Sequence, residues 1–356
     1  MNIRDAIRMV VAGQHLEQDA AAAVMEAIME GAASPAQIAA FLTALHLKGE
    51  HESEIAGMAM VMRSKATPVP FAGPLVDTCG TGGDGAGTFN ISTTAAFVVA
   101  GAGVTVAKHG NRAMSSESGS ADLLEALGVK IDMEAAQVAR LLRDAGIGFM
   151  FAPRFHPAMR HAGPVRREIG IRTVFNVLGP LTNPAGARHQ VLGVATPTLA
   201  EKLALALGRM DIDHALVVHG AGGLDELSLS GPSLVYDVRP GQPPQRMVVD
   251  AAQLGLQPAP NEALRGGNAA TNAAITKGVL TGAEQGPRRD RGAAECSGGL
   301  VACGHFRQPL GHFATQGVVR ATTLVPLENR KTGSAQCDDQ CQRRQNCNAA
   351  GRRSRP

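Results

Sequence analysis

The sequence predicts an α/β protein: a small N-terminal all-helical domain, then a larger α/β domain built around a mostly parallel central sheet. Three patterns carry this expectation. Residues 3–65 repeat apolar side chains at helical spacing. From residue 75, apolar runs of strand length alternate with helical stretches, as in a layered α/β sheet. Between the short run Pro74–Val76 and a small-residue helix lies a loop holding Gly80, Gly82, Gly83, Gly85 and Gly87. Glycines at such a junction let backbone N–H groups close around an anion, and the next helix N-terminus adds partial positive charge. A phosphorylated ligand is therefore expected.

The helical part reads element by element. Leu16–Met29 is amphipathic. Ser34-Pro35-Ala36-Gln37 supplies an N-cap, a proline at the first helical position and a glutamine at N3, a capping-box arrangement. Ile38, Phe41, Leu42 and Leu45 then share one face, and Gly49 fits the stop. Glu52–Met62 repeats the pattern, and the turn-rich Thr67–Pro74 closes the unit, so the first domain is placed at 1–72. Strands are expected at Val104–Ala107, Gly148–Ala152, Val191–Val194, Ala215–Val218 and Leu234–Val238. Helices are expected at Ser120–Leu127, Glu134–Ala145 and Leu199–Met210, which places the α/β domain at 73–290. Residues 291–356 lack sustained apolar periodicity, are rich in Gly, Gln, Arg and Asn, and read as a poorly structured tail. Cys337-x₃-Cys341-x₅-Cys347 within it fits no recognisable zinc framework.

Composition narrows the function. The 356 residues suffice for about two domains, and 44% apolar with 18% charged residues is ordinary globular composition. Aromatics at 3% and the lack of Trp argue against stacking on single-stranded nucleic acid. The tail from 291 holds ten of the 34 Lys and Arg but four of the 31 Asp and Glu, so the net charge of +3 hides a mildly acidic body. That body lacks the basic face a nucleic-acid binder needs. Apolar segments are too short or too broken to span a bilayer, and the N-terminus has no signal-peptide core. A cytoplasmic location is expected.

Gly80, Gly82 and Gly85 satisfy G-x-G-x-x-G, yet the second strand ends on Lys108 where a ribose diol would want a carboxylate. Lysine there suits another phosphate. Asn90, Ser92 and Thr93 open the following helix; N-capping explains one of them but not all three beside Lys108. The polar groups of Lys108–Arg112 follow a strand of buried character, and desolvating them without a partner would cost several kcal/mol, roughly 1–3 each. Asp225-Glu226 forms a carboxylate pair in a loop after a strand; solvated acids are common, but near a phosphate site such a pair suits Mg²⁺. Residues 156–184 carry His156, Arg166, Asn176 and Gly179-Pro180; Arg166 offers a planar fork for a carboxylate. Cys79 reads as packing.

Together these strings resemble the anthranilate phosphoribosyltransferases of tryptophan biosynthesis: GTGGD (80–84), NISTT (90–94), KHGNRA (108–113), SGSADLLEALG (118–128), GIRTVFNVLGPLTNP (170–184) and GLDELS (223–228). They run in family order over about residues 1–288. The resemblance implies a fold of nucleoside phosphorylase and phosphoribosyltransferase type, with helices from about 160–185 packing on the N-terminal domain. It implies transfer of the phosphoribosyl group of 5-phosphoribosyl-1-diphosphate to anthranilate, with Mg²⁺, in a homodimer joined through the helical domains. It assigns Gly80, Thr81, Gly83, Asp84, Thr88, Asn90, Ser92, Thr93, Lys108 and Ser120 to the diphosphate donor, and Ser92, Asp225 and Glu226 to the metal. Gly80, Asn111, His156, Arg166, Gly179 and Pro180 would line the anthranilate path, with Lys108, Arg166, Asp225 and Glu226 as the catalytic set.

The chain departs from the family pattern after Asp290, where A-V-x-L-N-A is expected and RGAAEC stands. One codon choice for Arg291–Cys296, read one base later, yields Ala-Val-Leu-Leu-Asn-Ala, which motivates the hypothesis of a frameshift near Asp290–Arg291. An altered C-terminus would leave an unstable or inactive chain. A non-catalytic nucleic-acid-binding relative and a pyrimidine-nucleoside phosphorylase are rival readings; the latter should lack the KHGNRA and GPLTNP strings.

Overall fold

The computed structural model describes residues 1–113 and 116–302. It opens with four helices, α1 (Ile3–Val11), α2 (Gln18–Met29), α3 (Pro35–Lys48) and α4 (Glu52–Ser64). α3 begins with the capping box expected at Ser34 and Gln37, both of its bonds being present. The bundle is tied internally by Glu54, which is fully buried and accepts from the backbone N–H of Leu16 (2.9 Å) and His51 (2.8 Å) and from Lys48 Nζ (2.9 Å). A buried carboxylate is tolerated there because each oxygen has donors.

The α/β part follows as β1 (Val76–Gly80), α5 (Ile91–Gly101), β2 (Val106–Gly110), α6 (Ser120–Ala126), α7 (Ala135–Ala145), β3 (Ile147–Phe151), α8 (Ala152–Phe155), α9 (Gly163–Ile169) and α10 (Phe175–Leu178). It continues with β4 (His189–Gly193), α11 (Pro197–Gly208), β5 (His214–His219), β6 (Ser233–Val238), β7 (Gln245–Val249), α12 (Ala269–Thr281) and α13 (Pro287–Ala302). The seven strands form one sheet in the order β3-β2-β1-β4-β5-β6-β7. β3 to β5 are parallel, and β6 and β7 join antiparallel at one edge. The expected strands and the mostly parallel sheet are thus present. β7 and α12 had no expected counterpart: β7 is largely exposed and α12 is built of small residues, so neither has a strong apolar signal.

Both faces of the parallel strands are covered, as their continuous apolar sequences require. On one face, Leu192, Val194, Ala215 and Val217 join α11 and the N-terminal bundle in a single core cluster that also takes in Val165 of α9 and Phe175 and Leu178 of α10. Helices from 160–185 therefore sit on the bundle, α9 against α3 and α10 against α4. On the other face, Val76 and Val106 pack under α5, and Val191, Leu216 and Val218 meet Ala294 of α13.

α13 corrects one expectation. Residue 290 does not end the ordered chain, because residues 291–302 are helical. Their helix is held by burial: Ala293, Ala294 and Ala302 are at most 2% exposed, and the Ala302 carbonyl meets His189 Nδ1 (2.8 Å) and His214 Nδ1 (3.1 Å). Short apolar side chains carry little periodic signal, which is why the sequence pattern hides it. The same helix buries Arg291 and Glu295 almost completely. Residues 303–356, including Cys303, Cys337, Cys341 and Cys347, lie outside the described residues.

Candidate active site

The strand order reverses between β1 and β4: the chain moves from β1 to β2 and β3 on one side, then returns to β4 on the other. Crevices at the carboxyl ends of strands at such a switch point are where open α/β sheets bind ligands. The glycine loop leaves β1 at this place. Thr81 N–H donates to Gly193 O at the end of β4 (2.9 Å), which anchors the loop at the switch point. Gly82, Gly83, Gly85 and Gly87 all have positive φ, a conformation that glycine adopts freely and other residues rarely do. The loop's far end is pinned by a bridge from Thr88 to Arg265 and by Phe89 N–H donating to Leu264 O (3.0 Å).

The acidic pair reaches this loop from about 140 residues away in sequence. Gly82 N–H donates to Asp225 Oδ2 (2.7 Å). Burial, with Asp84 next, pushes the Asp225 carboxyl up to about 7. Burial first, then Glu295 and Asp225, raises Glu226 as well. Glu226 Oε2 and Asp84 Oδ2 are buried without a hydrogen-bond partner. The close approach is possible because Gly193 and Gly80 lack side chains: a Cβ on Gly193 would fall 1.5 Å from the Asp225 carbonyl oxygen, and one on Gly80 would fall 2.4 Å from Asp225 Oδ2. Gly80 stands in the GTGGD string, whereas Gly193 stands in none of the recognised strings.

Beneath the loop lies Lys108, 3% exposed in the middle of β2, which runs two residues further than the sequence pattern suggested. Its Nζ donates to Thr78 O (2.5 Å) and lies 3.5 Å from Ser92 Oγ at the start of α5. Burial lowers its pKa, opposed mainly by Asp77. Asp77, itself pushed up to about 6 by burial, accepts from Asn183 Nδ2 (2.8 Å) and from His109 N–H (3.3 Å), so it braces the end of β2. Asn90 does not cap α5 with its side chain; it donates to Ser118 O (3.0 Å) and accepts from Asn272 Nδ2 (2.9 Å), tying the α6 approach and α12 to the helix start. Ser120 opens α6 beside Gly110. The Thr81 and Thr93 hydroxyls are buried without partners.

The second group of residues gathers around two histidines. His109 and His156 have ring centroids 5.0 Å apart, and both Nε2 atoms are buried without partners. Burial lowers them to about 3 and about 4, so both rings are neutral at pH 7. The Gly179 and Thr182 backbones hydrogen-bond these rings, which brings the Gly179-Pro180 turn against the pair. Pro180 O in turn accepts from Gln190 Nε2 (2.6 Å). Arg166 of α9 lies half-buried over the Phe175 ring, its guanidinium carbon 5.0 Å from the centroid, and makes no ion pair among the described residues. Asn111 is exposed at the end of β2, its carbonyl accepting from Ala121 N–H (3.2 Å). Arg172 packs on the glycine loop: its Nη2 donates to Gly82 O (3.3 Å), and its guanidinium fills the space a Cβ on Gly83 would take.

Among the residues singled out by sequence, the structure joins Gly80, Asp84, Asp225 and Glu226 in one cluster, Lys108 and Ser92 in another, and His156 with Gly179, through the His109 ring between them, in a third. Arg166 and Asn111 share no side-chain hydrogen bond or ion pair with these three clusters among the described residues. The sequence reading assigned no role to His109, Asp77, Asn183 or Arg172. His109 and Arg172 stood inside recognised strings; Asp77 and Asn183 meet across 106 residues, a pairing no local pattern reports.

Comparisons with known proteins agree with this geometry. Residues 72–325 match the glycosyl transferase family a/b domain, and residues 4–66 match the glycosyl transferase family helical bundle domain. Anthranilate phosphoribosyltransferase of Chloroflexus aurantiacus is 68% identical over 302 residues, covering 85% of this chain and 89% of that protein. The crystal structure of the Thermus thermophilus anthranilate phosphoribosyltransferase superposes with a TM-score of 0.82 at 47% identity, covering 90% of this chain and 94% of that one. The Saccharomyces cerevisiae enzyme, solved in complex with PRPP and Mg, superposes with a TM-score of 0.79 at 26% identity, covering 91% of this chain and 93% of that one.

Proposed function

We propose the roles of individual residues from one premise: this chain belongs to the anthranilate phosphoribosyltransferase family. Its reaction transfers the 5-phosphoribosyl group of 5-phosphoribosyl-1-diphosphate to the amine of anthranilate, giving N-(5-phosphoribosyl)anthranilate and diphosphate. The observation that best supports the assignment is the Gly82–Asp225 bond, which couples the glycine turn to a carboxylate pair at the sheet's switch point.

The donor's diphosphate lies in the turn from Gly80 to Thr88, against the α5 start at Asn90, Ser92 and Thr93, with Lys108 below and Ser120 beside it. Asp225 and Glu226, with Ser92, suit Mg²⁺: the donors are all oxygen, and the buried, partnerless Glu226 Oε2 is the kind of atom a hard cation satisfies. Among the described residues no three ligating side chains converge, so substrate phosphates complete the set. When bound, Mg²⁺ neutralises charge developing on the leaving diphosphate. Lys108 offers a fixed, water-excluded positive charge aimed at the same group, which costs no reorganisation during reaction.

Arg166, Asn111, His156 and the Gly179-Pro180 turn line the anthranilate path. Arg166 has its guanidinium braced on Phe175 and no internal carboxylate, leaving its fork available for the substrate's. His109 and His156 stay neutral and present an unprotonated or singly protonated edge to the path. The aniline nitrogen attacks a carbon that is nearly cationic, so positioning outweighs a general base. The helical domain, with Leu47 and Val11 exposed on α3 and α1, carries the homodimer contact. We place the enzyme in the cytoplasm; among the described residues no helix is long and apolar enough to cross a membrane.

Loss of anthranilate fluorescence with phosphoribosyl diphosphate, with and without Mg²⁺, tests the whole assignment. Retained turnover in Lys108→Ala or Arg166→Ala contradicts those roles. A second reading, an unstable chain, is favoured by Arg291: it is fully buried with Nε, Nη1 and Nη2 all lacking hydrogen bonds. The shifted reading frame would replace it by alanine, and resequencing across Asp290–Arg291 tests that.

A further inference from the structure

We infer that Arg291 is a built-in counter-ion for the metal-binding carboxylates, so that the divalent cation enters this site against a resident positive charge. The inference rests on Asp225 and Glu226 being the metal ligands, and it concerns what α13 does to them.

Arg291 is 0% exposed and is the largest fully buried side chain of the described residues. None of its three guanidinium nitrogens makes a hydrogen bond. A buried arginine in that condition needs opposite charge nearby, since burying a lone cation is among the costliest placements a fold can make. The surrounding geometry supplies it. Glu295 lies one turn later on the same face of α13 and is 1% exposed. Its Oε2 accepts from Leu227 N–H (3.2 Å), directly after Glu226 in the chain, so the helix is docked onto the acidic loop. Glu226 Oε2 is buried and partnerless beside it. Glu295, Glu226, Asp225 and Asp84 are the charged groups that act on Arg291, all four are carboxylates, and none of them forms an ion pair or hydrogen bond with its guanidinium. The cluster thus contains the acids that would hold a cation and one cation already in residence.

Opposite signs follow for the two helix residues. Neutralising Arg291 leaves the carboxylates without an internal counter-ion and tightens divalent binding. Neutralising Glu295 removes a negative charge and leaves Arg291 to Glu226, which weakens it. For a unit charge at this range acting on a divalent ion, each change is on the order of 10- to 100-fold in dissociation constant.

The test is Mn²⁺ binding, followed by electron paramagnetic resonance of free Mn²⁺, on the full chain with and without phosphoribosyl diphosphate. Arg291→Met keeps length and removes charge; Arg291→Ala removes both; Glu295→Gln removes the opposite charge. Tighter binding in both Arg291 variants with weaker binding in Glu295→Gln is the expected result. If the unmodified chain binds Mn²⁺ and the Arg291 variants bind it equally or less tightly while folded by circular dichroism, the inference is overturned. Should the Arg291 variants fail to fold, Glu295→Gln decides alone, and unchanged affinity there overturns it too. Failure of all three to fold also overturns it, because the pair would then be holding the helix. If the unmodified chain binds no Mn²⁺ under either condition, the metal assignment at Asp225 and Glu226 is what fails.

Discussion

Gly193→Ala should disable the enzyme without replacing any residue assigned to substrate or metal. Gly193 ends β4, an interior strand held on both sides by β1 and β5. A Cβ there would fall 1.5 Å from the carbonyl oxygen of Asp225 and 2.5 Å from its carbonyl carbon. Real contacts of this kind stay beyond 3.0 Å, so something must move by about 1.5 Å. The strand is fixed by two ladders, and the 220–228 loop gives way. That loop carries the Asp225 side chain that accepts from Gly82 N–H, so the acidic pair and the donor turn separate. A displacement of about 1 Å at such a site costs about 10²-fold, near 2.7 kcal/mol of transition-state stabilisation. The stability cost of overpacking is smaller or similar, about 1–3 kcal/mol. Anthranilate fluorescence under saturating Mg²⁺ measures the first quantity and urea denaturation the second. Gly208→Ala is the control, because its new Cβ would meet only Val238 at 3.9 Å. Turnover of Gly193→Ala within threefold of the unmodified chain would refute the reasoning.

Other expectations are equally concrete. Lys108→Met keeps the buried volume but removes the charge, and kcat should fall about 10²–10³-fold; the variant also leaves Thr78 O without its donor, at about 1–3 kcal/mol of stability. A rate within threefold of the unmodified chain removes Lys108 from the mechanism. The histidine pair makes stability depend on acid. Both groups are depressed from 6.5, to about 3 for His109 and about 4 for His156, so the unfolded chain takes up their protons first. Their contribution is complete above pH 6.5 and is lost as pH falls through 4 and then 3. Urea midpoints in His156→Gln should therefore decline less between pH 6.5 and 4, and an unchanged decline counts against it. Replacing Arg291 and Glu295 together by Ala and Asn, as the shifted frame reads, removes two buried opposite charges that make no direct contact, and should be neutral or stabilising by about 1–4 kcal/mol. Glu295→Ala alone should cost about 3–5 kcal/mol, and equal melting of the two variants would exclude that account.

The pattern of residues near one another in sequence was legible before any coordinates. The strand expected to end on Lys108 runs on to Gly110, while the Ser34–Gln37 capping box and the glycine turn at 80–87 appear where their chemistry places them. So do the parallel strands, whose apolar runs require cover on both faces. Helix α13 was hidden because alanine and glycine give no period to read, and its order comes from the sheet beneath it. Caps, turns and periodicity depend on neighbours within a few residues, so the glycine turn, the helical domain and the candidate residue types follow from local sequence. Folding alone brings Gly193 to make room for Asp225, Asp77 to brace Lys108 through β2, and Arg291 in among the acids. Those facts depend on steric exclusion and charge between segments tens to more than a hundred residues apart, and such distances exist only once the chain has folded.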